Sequence, residues 1–560
     1  MSRLIRLNLL LLAGTLGSGL SLEAAETRDG RVGPQPPAAR RLEWWREARF
    51  GMFIHWGPVS LKGTEIGWSR GAPIPIEEYD NLYRQFNPTN FHAREWMKVA
   101  HAAGMKYVVF TTKHHDGFCM WDTRQTDFNI MHSPFGRDVV KELAAACQRQ
   151  GLAFGTYHSV CDWHHPDFPR TSPGGQVLRP VPNLDRYEQY LRAQVGELIH
   201  NYGPLLVMWF DVPQEFDVTR GQGLLDYTRA LQPDILVNNR SGAPGDYDTP
   251  EQRVGKYQDQ RPWETCMTIC NQWAWKPDDP MKSLKQCLQT LALCAGGDGN
   301  LLFNVGPMPD GRLEPRQVER LKEMGDWLAK YGESIYGTRG GPWKPTKALA
   351  STRRGKSIFL HVLKWEGDSV SLPAIPAQVR RARVLTGGKA QFRQEGDKLV
   401  VSVQPPQQQQ IDTVIRLDLD RSAMNLPPTS FPSLLKATAS NVYHGMEGYS
   451  AECAFDGDPD TRWATDGGTK QAWVALDLGK PTRVDSVSIN EAIAPRVLKF
   501  EFQYRDGGEW KTLFAGEEIG AHFSRSFEPV TAREVRLNIL DASEGPTIHE
   551  IGINQKKSGP

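Results

Sequence analysis

From Glu43 to about Gly337 short apolar runs alternate with longer amphipathic segments, and this alternation restricts the fold more than any other feature of the chain. The apolar runs are "FGMFIHWG", "YVVFTTKHH", "LAFGTYHS", "LLVMWFD", "ILVNNR", "ETCMTI" and "NLLFNVGP". Between them, "FHAREWMKVAHAAG", "GRDVVKELAAACQRQG" and "LDRYEQYLRAQVGELIHNYG" repeat apolar residues three and four apart, and each closes on glycine. A continuous apolar run fits a strand buried on both faces, and a helix between successive strands makes them parallel. The segment therefore reads as α/β, a parallel sheet with helices outside, and residues 40–337 have the length of a (β/α)8-type barrel. Seven strands are visible in the pattern; an eighth is not.

After Gly337 the pattern changes to short β runs without a long helix: "SIFLHVLKW", "ARVLTGG", "KLVVSV" and "TVIRLDL". Residues 338–422 read as a small β-sandwich, "NLPPTSFPS" as a linker, and residues 434–557 as a further all-β unit. Residues 1–25 hold two arginines, an apolar stretch from Leu7 to about Leu16 and then small residues. That is the anatomy of a secretory signal, too short to span a bilayer, so the expected location is secreted or periplasmic. With 66 Lys+Arg against 65 Asp+Glu and no basic run, nucleic acid is not an expected partner, and no membrane span is expected. Eight cysteines in 560 residues read as buried small apolar groups, not as a disulfide scaffold.

The strand ends carry the chemistry. In such a barrel the reacting groups sit at the C-terminal ends of the strands, where the loops converge on one pocket. Here those ends carry His55; His114, His115 and Asp116; Tyr157 and His158; Trp209 and Asp211; and Arg240. Such groups are expensive to bury without partners. Singly each has an ordinary structural reading, and Asp211 could cap the next helix. Jointly, at five successive strand ends, they predict a polar pocket. Metal-dependent hydrolysis is the competing chemistry, but "HHD" alternates its side chains across a strand and so does not present both rings to one ion unless the strand has ended.

The stretches "FGMFIHWG", "KHHDGF", "YHSVCDWHHPDF", "YGPLLVMWFD", "VNNRSG", "DYDTPEQ", "PWETCMTI" and "GNLLFNVGPMPDG", in this order, resemble the α-L-fucosidases of glycoside hydrolase family 29 over roughly residues 40–420. The resemblance implies a (β/α)8-like barrel followed by a β-sandwich, and hydrolysis of terminal α-L-fucose with retention through a covalent intermediate. It implies Asp211 as nucleophile. Glu251 and Glu264 compete for the acid/base, with Glu251 favoured by its place in a loop after the fifth strand. It further implies that His55, Glu65, Trp68, His114, His115, Tyr157 and Arg240 contact the sugar ring and hydroxyls, while Trp209 and Trp273 wall its methyl group. No metal or other cofactor takes part in the implied reaction. The chain departs from the family pattern in having "WFDV" for "WFDG" and "QWAW" for "SWGY", both at the pocket rim.

The last segment, through "ATASNVYHGMEGYSAECAFDGDPDTRWAT" and "WVALDLGKPTRVDSVSI", resembles the discoidin-like F5/8 type C modules that include family 32 carbohydrate-binding domains. That resemblance implies a β-jelly roll, glycan contact through loop aromatics or Arg462, and a structural calcium ion in loops like "FDGDPDTRW". The implied partner is a fucosylated oligosaccharide or glycoconjugate. Two other readings remain at this point: an inactive fucose-binding lectin-like protein, and a metal-dependent hydrolase on the same barrel.

Overall fold

The computed structural model describes residues 40–169, 182–431, 436–457 and 461–554. The expected signal at 1–25, the end of the linker and part of the expected calcium loop lie outside the described residues. Two compact units are present, Met1–Ser430 and Phe431–Pro560.

All seven apolar runs form strands: β1 (Phe50–Ile54), β2 (Tyr107–Lys113), β3 (Ala153–Ser159), β4 (Val207–Asp211), β5 (Leu236–Val237), β6 (Glu264–Thr268) and β7 (Asn300–Val305). They make one parallel sheet in the order β5-β4-β3-β2-β1-β7-β6, a half-barrel whose ends are β5 and β6. The helices are α1 (Arg41–Ala48), α2 (Ile76–Asp80), α3 (Ala93–Ala102), α4 (Val139–Gln150), α5 (Leu184–Tyr202), α6 (Val218–Leu231), α7 (Leu284–Gly296) and α8 (Pro315–Tyr331). Local chemistry sets several of their ends. Asp138, Asn183, Asp217 and Ser283 each accept a hydrogen bond from a first-turn backbone N–H, and Gly151 ends α4 in the left-handed region. Because Asp217 caps α6, the capping reading of Asp211 does not hold: its carboxylate is left for other work.

Alternation within the buried strands separates two apolar layers. Met52 and Ile54 face the helices with Met97, Leu143 and Leu198. Phe53 faces inward with Trp45, Tyr107, Tyr157, Trp209 and Tyr247. Full burial of each such side chain stabilises the fold by roughly 1.5–3 kcal/mol, and the inner layer is the floor on which the pocket rests.

The same unit continues into β8 (Arg339–Gly340), β9 (Leu349–Arg354), β10 (Ser357–Val362), β11 (Ser369–Pro373), β12 (Val379–Val384), β13 (Ala390–Glu395), β14 (Lys398–Val403) and β15 (Thr413–Leu419). These form a five-stranded sheet, β12-β15-β10-β9-β8, and a three-stranded one, β11-β14-β13. Four of the eight strands follow from the apolar pattern. β13 does not, because none of its positions is buried.

One buried ionic cluster ties this part to the barrel. Asp298, just before β7, receives Arg46 (2.8 Å) and Arg49 (2.6 Å) from the end of α1 and Arg339 (2.5 Å) from β8, together with the Gly340 backbone N–H (2.9 Å). These cations hold its carboxyl well below the usual range against the opposing effect of burial. Removing Asp298 leaves Arg49, which is fully buried, without its counter-charge. Asp298→Asn is expected to destabilise this unit by about 3–5 kcal/mol in urea denaturation; a change below about 1 kcal/mol would show that water replaces the carboxylate there.

The second unit is an antiparallel sheet of β16 (Lys436–Ala439), β17 (Trp463–Ala464), β18 (Ala472–Glu491), β19 (Val497–Asp506), β20 (Glu509–Gly516), β21 (Phe523–Ala542) and β22 (Thr547–Ile553). Its order is β17-β22-β18-β21-β19-β20, with β16 against β18, around a core that includes Trp463, Phe500, Phe502 and Leu537.

Candidate active site

The parallel strands bring their C-terminal residues to one end, where His55, Trp68, His114, His115, Tyr157, Trp209, Asp211, Arg240, Glu251 and Trp273 line a single pocket of about 80 Å³, completed by Phe53, Val212 and Cys266. A larger cavity, about 470 Å³, opens outside the barrel between α3 and α8. Its only lining carboxylate, Glu95, is paired with Lys98 at 2.8 Å, so the size of that cavity is outweighed by the chemistry of the smaller one.

Asp211 ends β4. Tyr157 Oη donates to its Oδ2 at 2.8 Å, and Arg240 Nη1 donates to its Oδ1 at 3.0 Å. The same Nη1 donates to Glu251 Oε2 at 2.8 Å. Sharing one nitrogen confines the two bonded carboxylate oxygens to within about 6 Å of each other, which admits the roughly 5–5.5 Å carboxyl separation of retaining glycosidases. Thr249 fixes the guanidinium: its hydroxyl accepts from Arg240 Nε at 2.8 Å and its carbonyl from Nη2 at 2.8 Å. The flat face of Arg240 lies 4.9 Å from the Trp209 ring. The two carboxylates differ in setting, the Asp211 side chain being 12% exposed and that of Glu251 42%.

Three histidines line the same pocket, and burial keeps them neutral. It lowers His55 to about 3, His115 to about 4, and His114 well below the usual imidazole range. Their hydrogen bonds also assign tautomers. Asn304 Nδ2 donates to the Trp273 carbonyl (2.7 Å), so its Oδ1 accepts from His55 Nδ1–H (2.7 Å) and leaves Nε2 as an acceptor. Ser159 Oγ–H donates to the Cys161 carbonyl (2.8 Å) and accepts from His115 Nδ1–H (2.7 Å); His115 Nε2 stands 3.8 Å from Asp211 Oδ2. A sugar hydroxyl can donate to each Nε2 without meeting a competing proton. His114 stacks on Tyr157 at 5.4 Å, and its Nδ1 forms no hydrogen bond among the described residues.

The loop over these rings is held from behind. Tyr79 Oη donates to Asp116 (2.7 Å) and accepts from the Gly67 N–H (2.8 Å). Gly67 takes φ +69°, and a Cβ there would lie 2.6 Å from His114 Nδ1, so only glycine lets the backbone come this close. The next residue, Trp68, is 55% exposed at the mouth, its ring 5.1 Å from Trp163 and 5.3 Å from His115.

Two of the candidate residues stand elsewhere. Glu65 does not line the pocket; it accepts from the backbone N–H groups of Trp273 (2.9 Å), Ala274 (3.1 Å) and Ile66 (3.1 Å) and so fixes the loop that carries the Trp273 ring. Glu264 is the first residue of β6, at the end of the sheet away from the mouth, and accepts from Tyr107 Oη. Sequence reasoning passed over Asn304, Thr249 and Cys266. Asn304 had a readable signal, a polar residue at the C-terminal end of a fully buried strand. Val212, at the "WFDV" departure, has φ +47°, a conformation that costs a β-branched residue on the order of 1–3 kcal/mol.

Similarity to known proteins extends over both units. The family model described as alpha-L-fucosidase matches residues 34–333, and the F5/8 type C domain model matches residues 436–551. The chain is 30% identical over 411 residues to human tissue alpha-L-fucosidase, covering 65% of this chain and 84% of that protein. Alpha-L-fucosidase isoenzyme 1 from Paenibacillus thiaminolyticus superposes with TM-score 0.63 at 33% identity, covering 68% of this chain and 99% of that one. A GH29 alpha-L-fucosidase from Bacteroides thetaiotaomicron, solved as a trapped covalent intermediate with 2-fluoro-fucosyl fluoride, superposes with TM-score 0.61 at 26% identity, covering 70% and 98%. Since the alpha-L-fucosidase model matches more than half of its residues, the chain belongs to the alpha-L-fucosidase family.

Proposed function

We propose that this protein is a retaining exo-α-L-fucosidase that removes terminal α-L-fucosyl groups from glycans, with Asp211 as nucleophile and Glu251 as acid/base. The observation that carries the assignment is the single Arg240 nitrogen that meets both carboxylates. In the first step an Asp211 oxygen bonds to the anomeric carbon as the glycosidic C–O bond breaks, and the Glu251 carboxyl passes its proton to the leaving oxygen. In the second, Glu251 takes a proton from water, the water oxygen bonds to the anomeric carbon, and Asp211 leaves. Two inversions give net retention. Tyr157 and Arg240 keep Asp211 directed, the neutral histidines take the sugar hydroxyls, and Trp209, Trp273 and Phe53 supply the wall for the methyl group.

The remaining assignments belong to the same reading. The catalytic barrel occupies 40–337, the sandwich 338–422 and a glycan-binding jelly roll 434–557, with residues 1–25 directing export to the periplasm or medium. Barrel closure is supported by the segment between β5 and β6. Asp246 N–H donates to the Val237 carbonyl (2.7 Å), Glu264 N–H to Asp248 (2.8 Å) and Cys266 N–H to Pro250 (3.0 Å), so this irregular stretch stands in for the eighth strand. It also delivers Glu251 to the pocket.

The test is proton NMR of an aryl α-L-fucoside digest. α-L-Fucose is expected as the first-formed anomer, at a rate unchanged by EDTA. The β anomer appearing first would overturn retention; loss of activity in EDTA would favour the metal-dependent alternative, and absence of turnover the lectin-like one.

A further inference from the structure

Glu264 sits in the barrel interior beneath the pocket, 1% exposed. Tyr107 Oη donates to it, and Asn300 Nδ2 approaches that phenol at 3.4 Å. Three more donors surround the same carboxyl: the indole N–H groups of Trp45 and Trp209 and the phenol of Tyr247 all favour its ionised form. None of these three completes a hydrogen bond of ordinary geometry, and neither does Glu264 Oε1. Three buried donors thus stand around the unpaired Oε1 of one buried carboxyl, and none of the four has another partner among the described residues. Buried polar groups are costly unless they satisfy one another, so the acceptor and its donors are mutually dependent.

Trp209 connects this cluster to the chemistry. Tyr157 stacks on its ring at 5.5 Å and 22°, and Arg240 covers it at 4.9 Å. These two residues hold the two oxygens of Asp211, and Arg240 also holds Glu251. Whatever fixes the Trp209 ring therefore bears on both groups that aim the reacting carboxylates, alongside the Thr249 bonds that hold the edge of Arg240.

We propose that Glu264 is a positioning residue: its carboxylate anchors the Trp209 indole from below, and through that ring sets the placement of Tyr157 and Arg240 on the catalytic pair. Glu264 donates no proton to substrate and touches no sugar. The proposal rests on the fucosidase reading above for the reaction it measures. The titratable groups facing Glu264 are the phenols of Tyr107 and Tyr247 and the thiols of Cys266 and Cys294, all pushed upward by burial and hence neutral. Glu264 itself is raised by burial to about 7, so its charge changes near neutrality while theirs does not.

The experiment compares Glu264→Gln, Trp209→Phe and the double variant in the full-length chain on an aryl α-L-fucoside. Each single variant is expected to lose kcat by on the order of 10–10²-fold, as a small misplacement of catalytic groups does; in Glu264→Gln, which touches no sugar, KM is expected to change less than about threefold and azide to give no rescue, whereas Trp209→Phe also trims the methyl wall and is expected to raise KM. The double variant is expected to lose little more than either single one, because both remove the same anchor. The kcat profile of the unmodified enzyme is expected to show an ionisation near pH 7, and that of Glu264→Gln to lack it. Wild-type kcat in Glu264→Gln, or additive losses in the double variant, would overturn the positioning role. Azide rescue of Glu264→Gln would instead make Glu264 the acid/base and overturn the Glu251 assignment with it, whereas an inactive parent enzyme would refute the fucosidase reading alone. Should Glu264→Gln not fold, Trp209→Phe keeps the question open to a result, since unchanged kcat in that variant refutes the anchor by itself.

Discussion

Asp211→Ala is expected to lower kcat on an aryl α-L-fucoside by on the order of 10⁴-fold or more, as removal of a covalent nucleophile does elsewhere, with the fold intact. The fold should survive because Asp211 caps no helix and lies at the pocket surface, where water replaces it once the side chain is gone. Of its partners, Arg240 retains Glu251 and Thr249, and the Tyr157 hydroxyl, which loses its acceptor, faces the pocket, where water can take the place of the carboxylate. Azide added to the variant occupies the vacated space and attacks the anomeric carbon directly, a single displacement that yields a fucosyl azide of inverted configuration. Far-UV circular dichroism and product NMR check the two halves of the result. Residual turnover within tenfold of the parent would place the nucleophile elsewhere.

Glu251→Ala has the second largest expected effect, and it depends on the leaving group. With an unactivated glycosidic oxygen the first step needs the proton, and kcat/KM should fall by about 10²–10⁴-fold. With 2,4-dinitrophenolate as leaving group the first step needs no proton, and the covalent intermediate should accumulate because water has lost its general base. Azide requires no base, so it should restore turnover and release a product of retained configuration. The opposite stereochemistry of the two rescued reactions distinguishes the roles of Asp211 and Glu251 without reference to rate. Equal losses on both leaving groups would remove Glu251 from proton transfer.

The parallel half-barrel and most of its pocket were legible because buried strands have a plain signature and because strand direction sends every C-terminal residue to the same end. His55, the histidine pair, Tyr157, Asp211 and Arg240 followed from that rule. The two rival glutamates were separable by the same rule, since Glu264 opens "ETCMTI" and the start of a parallel strand lies away from the mouth. Glu251 was harder to place because it rides on a stretch interrupted by Pro250 and held by scattered backbone bonds, with no periodicity to read. Glu65 shows a different limit. Its position near the mouth was foreseeable, but a carboxylate can accept equally from a sugar or from backbone amides, and only coordinates show that the Trp273 loop has claimed it.

The uncharged histidines bear on which fucose units this enzyme can accept. Among the described pocket-lining residues Arg240 is the sole cation, and it is already committed to two acids. A sulfate ester on the terminal residue would enter a cleft where anions outnumber free positive centres, and would find imidazole lone pairs rather than imidazolium protons. A neutral deoxyhexose end is therefore expected to be turned over in preference to a sulfated one, which competition between the two kinds of fucoside would measure.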